Sequence, residues 1–271
     1  MTYAKGGSGG CKRRIGMVTV AIASVALVAS MGATAQTAVV SDSTFLDANW
    51  TLATFFAGNA GSVIAAQSGA IGNPAPSRVV SDTVGAAPSI STESVIMGVS
   101  IYTPFTYNPA VSGAIGTINY SEDAACTSGC FGSGQSTGPA LLQGGNYYVF
   151  IPSIITGPGL GFANHSASGM TAADFGLVAV TTAGQLANPA VHPNFSASGL
   201  PIQFGFLRAN GSSNGGPGYT LAAAIDNWQI SIFALAAPSG AAIPTLGEMP
   251  LVALASLMVL VGLVYLRRNR R

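Results

Sequence analysis

Gly134-Gln135-Ser136-Thr137-Gly138 fits the G-x-S-x-G pattern of a serine nucleophile, and Asp174 and His192 follow in the Ser, Asp, His order of one hydrolase class. A nucleophile elbow needs a buried strand before the serine and a helix after it. Here the serine sits in a Gly/Ser stretch followed by PALLQGG, so the pattern predicts a loop and no acyl transfer. Glycoside hydrolysis needs two carboxylates facing one another across a cleft, whereas Glu122 and Asp123 are adjacent and read as surface residues. No lysine follows Lys12, which removes Schiff-base and lysine-base chemistry from the rest of the chain. The sequence therefore reads as that of a non-enzyme.

Cys126 and Cys130, in CTSGC, are the pair whose spacing matters most. In an oxidising compartment a disulfide closing this short loop is expected, with modest stabilisation. The alternatives are a redox pair or half of a zinc site, and zinc would have to recruit His165 and His192, both in polar loop contexts. Tyr102, Tyr107, Tyr120, Tyr147, Tyr148 and Tyr219 are candidates for stacking on sugar rings; cross-strand packing is the favoured role for most of them. A row of exposed tyrosines on one face would mark a carbohydrate-binding protein.

These residues must be positioned by short strands, because long amphipathic helices are hard to find. β-branched and aromatic runs at Ser94–Tyr102, Ala114–Tyr120, Asn146–Ile155, Phe175–Thr181, Pro201–Arg208 and Ile225–Phe233 are separated by Gly, Pro, Asn and Ser. In IDNWQISIF, Asp226, Trp228, Ile230 and Ile232 share the apolar face of a half-buried strand. In LPIQFGFLRAN, Ile202, Phe204 and Phe206 share another face, and Asn210 starts a turn. No constant repeat appears. About 200 residues, 36–237, suit one all-β sandwich or jelly roll.

Both ends of the chain differ from this middle. Lys12, Arg13 and Arg14 precede an apolar run from Ile15 to Met31, and Ala33-Thr34-Ala35 offers signal peptidase a small-x-small site before Gln36. Residues 1–35 are predicted to form a signal helix for general secretion; Cys11 lies ahead of the apolar run, so a lipoprotein anchor is not supported. Residues 249–266 carry no charge and at 1.5 Å per residue would rise about 27 Å as a helix, enough to span a bilayer. Four arginines lie in the flank 267–271 and place the C-terminus inside. A linker, 238–248, joins this span to the middle. Without its ends the chain retains only Arg78 and Arg208 against eight carboxylates, a net charge near −6 that excludes nucleic acid as a partner.

Ile243-Pro244-Thr245-Leu246, Glu248, one apolar span and a terminal arginine cluster resemble the IPTL-CTERM sorting signal, a relative of PEP-CTERM tails. The resemblance covers about the last 29 residues. It implies export across the inner membrane of a Gram-negative bacterium, recognition at Ile243–Leu246 by an exosortase-type membrane transpeptidase, and delivery to the cell surface or extracellular matrix. A plain C-terminal membrane anchor is the simpler alternative.

FGFLRAN and GGPGYTLAAAIDNWQISI near one end, with STFLDANW near the other, resemble concanavalin A-like and carbohydrate-binding jelly-roll domains. That resemblance implies that the strand containing Ile225-Asp226-Asn227-Trp228 pairs with the first strand. It would bring Asp226 close to Asp42 and Asp47, a cluster suited to calcium, although turn or strand-end carboxylates facing water are the favoured reading. The expected function is structural or adhesive at the cell surface, with recognition of surface or matrix polysaccharide as the alternative.

Overall fold

The computed structural model describes residues 35–235 and, beyond them, Arg267. The predicted signal segment up to residue 34, with Ala33, the Ile243–Leu246 motif and the apolar run 249–266 all lie outside the described residues. Among the described residues no helix is long and apolar enough to cross a membrane.

Strands follow in the order β1 (Ala35–Asp42), β2 (Trp50–Ala57), β3 (Ser62–Ser68), β4 (Ser77–Val84), β5 (Ser94–Tyr107), β6 (Ile115–Ser128) and β7 (Ser136–Gln143). They continue with β8 (Asn146–Phe150), β9 (Ile154–Ile155), β10 (Ala163–Met170), β11 (Phe175–Val178), β12 (Ala187–Asn188), β13 (Ile202–Ser212) and β14 (Tyr219–Ala234). One short helix, α1 (Pro109–Ser112), links β5 to β6 and is capped by the Asn108 side chain on the Ala110 N–H.

All pairs are antiparallel, and the strands form two sheets. One has the order β10-β6-β14-β4-β3 with β1 also on β14; the other has the order β12-β11-β8-β7-β13-β5-β2 with β9 on β7. The chain crosses between the sheets at β1 to β2, β2 to β3, β4 to β5, β5 to β6, β6 to β7, β9 to β10, β10 to β11 and β13 to β14, giving a β-sandwich of jelly-roll type. The 16-residue β14 organises the first sheet: β4 pairs with its first half and β1 with its second, where Asp42 faces Trp228. First and last strands therefore meet, as the jelly-roll resemblance implied.

The alternation read in the last strand is seen from Trp228 onward, where Trp228, Ile230 and Ile232 are fully buried. It breaks just before, because a bulge between Asp226 and Gln229 puts Asn227 at φ +49° and lets Ile225 be buried too. Trp228 packs edge-on to Trp50, which also meets Tyr102 and Phe206, so an aromatic cluster joins the sheets.

Strand β13 buries Ile202, Phe204 and Phe206 as its alternation requires, and the same parity carries Arg208 into the sandwich. Its guanidinium Nη1 donates to Glu122 Oε1 at 3.0 Å, and both side chains are completely buried. The expectation that Glu122 lies on the surface is thus corrected. It occupies an inward position of β6 and also accepts hydrogen bonds from Tyr120 and Thr137. Asn210 does not start a turn either, because β13 continues to Ser212.

Candidate functional site

Where the ends of β13, β7 and β9 approach the start of β14, the two sheets part to form a cleft of about 490 Å³. Its far wall is the loop 131–134, and three local features fix that loop. Cys126, on β6, and Cys130 form the expected disulfide. Gly129 takes φ +65° and passes so close to β14 that a Cβ there would stand 2.2 Å from Thr220 O. Gly134, at φ +85°, passes equally close to Gly157 O. Next to it, Gln135 and Thr156 exchange bonds: the Gln135 N–H donates to Thr156 Oγ1 at 3.0 Å and the Thr156 N–H to Gln135 O at 2.9 Å.

This scaffold sets Phe131, 49% exposed, edge-on to Tyr219 with ring centroids 4.9 Å apart. Tyr219 donates its phenol proton to Gly211 O at 3.0 Å, and burial raises its pKa above the ordinary value. Asn210, 7% exposed, lines the same cleft; its Nδ2 donates to Gly134 O at 3.0 Å while its Oδ1 has no partner. Ser133, Ser136 and Ser213 add hydroxyls to the lining. An aromatic edge pair beside neutral donors and acceptors matches a polar, uncharged ligand with apolar faces.

Behind the cleft the polar side chains are buried. Gln135 donates to Asp82 Oδ2 at 3.2 Å and to Leu221 O at 3.4 Å. Burial pushes the Asp82 carboxyl up to about 7, with the positive charge of Arg208 pulling the other way.

The residues singled out for chemistry are not assembled for it. Ser136 opens strand β7 opposite Ala209 and is followed by strand, not helix, so it is no nucleophile elbow. Asp174 accepts from the Thr171 N–H and hydroxyl, and His192 Nδ1 bonds Phe175 O at 2.8 Å. His165 belongs to β10, not to a loop, and pairs in register with Glu122.

Asp42, Asp47 and Asp226, the carboxylates of the calcium expectation, each engage partners within the protein. Asp42 accepts from Thr44, the Phe45 N–H and Trp50 Nε1, which hold its pKa low against the opposing effect of burial. Asp47 accepts from Arg78 at 2.8 Å and from the Gln67 N–H, and Asp226 accepts from the backbone of Asn73 and Asn227. Among the described residues no three His, Cys, Asp or Glu side chains group as a metal site. Ala35 begins β1, where it pairs with Ala234.

Nor is there a row of exposed tyrosines among the described residues. Tyr107, Tyr120 and Tyr148 are buried, Tyr102 packs on the two tryptophans, Tyr147 meets Phe55, and only Tyr219 of the six lines the cleft. Sequence reasoning missed Phe131 and Asn210. The signal available was adjacency: Phe131 directly follows Cys130, and Asn210 follows Phe204, Phe206 and Arg208 on one strand face.

No family model matches the chain, and no curated protein matches it. Among solved structures, the chain is similar to the CBM22-1 xylan-binding domain from Paenibacillus barcinonensis Xyn10C, with 9% identity and a TM-score of 0.36 over 76% of this chain and 100% of that one. A second similar structure is the C-terminal family 22 carbohydrate binding module of Clostridium thermocellum Xyn10B, with 14% identity and a TM-score of 0.30 over 72% of this chain and 92% of that one.

Proposed function

We propose that residues 36–237 are a carbohydrate-binding module of a protein exported to the bacterial surface or matrix, and that the cleft between the sheet ends is its binding site. The observation that carries this reading is the cleft itself: the Phe131–Tyr219 pair beside the unpartnered Asn210 Oδ1. An aromatic face covers the C–H face of a sugar, and a buried amide oxygen without a partner gains most from a ligand hydroxyl. Residues 1–35 and the tail from Ile243 supply export and sorting in this reading, through signal peptidase and an exosortase-type enzyme.

Retention of the full chain on insoluble xylan, cellulose and chitin tests the reading, with Phe131→Ala/Tyr219→Ala as the variant. At least one polysaccharide retains the wild type, and the double variant loses about tenfold or more in affinity with its melting transition intact. Equal retention of the two proteins would remove the cleft from consideration.

A structural or adhesive role has one specific support of its own. β2 and β3 stand at the edges of their sheets without a charged residue or proline, and Phe56 and Ile64 on them are exposed. Such edges are open to pairing with another chain.

A further inference from the structure

A second, smaller pocket of about 180 Å³ adjoins the cleft and shares Ser136, Ala209, Asn210 and Gly211 with it. Glu93 stands in its wall. The Glu93 N–H donates to Thr182 O at 2.7 Å just before β5 begins, which fixes the backbone of the residue. Its carboxylate lies over Gly184, where a Cβ would stand 2.6 Å from Oε2, so the glycine leaves the space the carboxylate fills. Val95, Leu186 and Ala209 give the pocket apolar sides, which strengthen any charge pair formed there.

Among the described residues no cation pairs with Glu93. Within residues 36–237 the only lysine or arginine side chains are Arg78 and Arg208, and these pair with Asp47 and Glu122. The same stretch carries eight carboxylates, a field that repels anionic glycans and attracts cationic ones.

Resting on the carbohydrate reading of the cleft, we infer that the site selects glycans bearing free amino groups, with Glu93 receiving a sugar ammonium while the neighbouring ring lies against Phe131 and Tyr219. A partly deacetylated polymer of amino sugars is the ligand class. N-acetylation would remove the charge and leave Glu93 without a counter-ion.

Calorimetric titration of the full chain at about pH 5.5, where a sugar amine holds its proton, tests this with three probes of equal length: β-1,4-linked glucosamine, N-acetylglucosamine and glucose oligomers. The amine oligomer binds about tenfold or more tighter than the acetylated one. Glu93→Gln abolishes that preference and leaves the acetylated oligomer unaffected, whereas Asp174→Asn, an equal change of charge away from the cleft, preserves the preference. Should Glu93→Gln fail to fold, Gly211→Ala serves instead. Its added methyl stands 3.7 Å from Glu93 Oε2, in ordinary contact, and narrows the pocket without altering charge, so it weakens binding of the amine oligomer. Binding of the acetylated or glucose oligomer with no preference for the amine, or a preference that survives both Glu93→Gln and Gly211→Ala, would overturn the inference and leave the cleft reading standing. Binding of none of the three would overturn the inference by removing the cleft reading beneath it.

Discussion

Arg208 sits where the sandwich can least accommodate a charge. Its Nη1 reaches Glu122 and Thr137, while Nε and Nη2 have no partner. A buried pair of this kind repays desolvation only when its hydrogen bonds are complete, so it is not a source of stability by itself. Asp82 adds to the cost. An acid whose pKa rises on folding keeps its proton in the folded chain while the unfolded chain gives it up, so stability falls as pH rises from about 4 to about 7 and the loss is complete above that window. Asp82→Asn therefore flattens the pH dependence of urea unfolding across this window and raises stability at about pH 8 by on the order of 2 kcal/mol. Identical slopes in the two proteins would show that Asp82 does not hold its proton. The parity of β13 made the inward aim of Arg208 legible in the sequence. The burial of Glu122 was hidden, since an acidic pair next to alanines looks solvated until its cross-sheet partner is known.

Among the elements, the loop after Cys126 decides the cleft. A five-residue ring stabilises the fold by about 2 kcal/mol or less, because so short a loop has little entropy to lose. Its larger effect is positional, since Phe131 follows the ring directly and meets Tyr219 across the cleft. Cys126→Ser/Cys130→Ser is expected to lower unfolding stability by about 2 kcal/mol at most while weakening polysaccharide binding about tenfold. Unchanged binding in that variant would free Phe131 from the disulfide. Several strands with large alternating side chains were legible: the predicted run at Pro201–Arg208 overlaps β13 from Ile202 onward, and that at Ile225–Phe233 lies within β14. No predicted run covers β1 to β4, β7, β10 or β12, and in β3, β7 and β10 Ala, Ser, Gly and Asn alternate in size too little to mark a face. β7 also carries Gly138 and Pro139, which read as a loop, and β10 is an edge strand whose residues are mostly exposed.

At the scale of the whole molecule, the closing of β14 on β1 was legible from the resemblance of the two ends to a jelly roll, and the disulfide from cysteine spacing. The cleft was not, because Phe131, Asn210 and Tyr219 come from three separate segments that only the sandwich unites. We propose that export and sorting place this module outside the cell. If so, the protein recovered from its own host begins near Gln36 and ends near Ile243 by intact mass, and changing Ile243–Leu246 to alanine removes it from the surface fraction. An unchanged chain held in the inner membrane through residue 271 would make the tail an anchor alone. The central claim, that the cleft between the sheet ends binds sugar, is tested most directly by a crystal structure with the tightest-binding oligosaccharide. The account predicts a sugar ring against Phe131 and Tyr219 with a hydroxyl on Asn210 Oδ1; a sugar lying elsewhere, for instance over Phe55 and Tyr147, would contradict it.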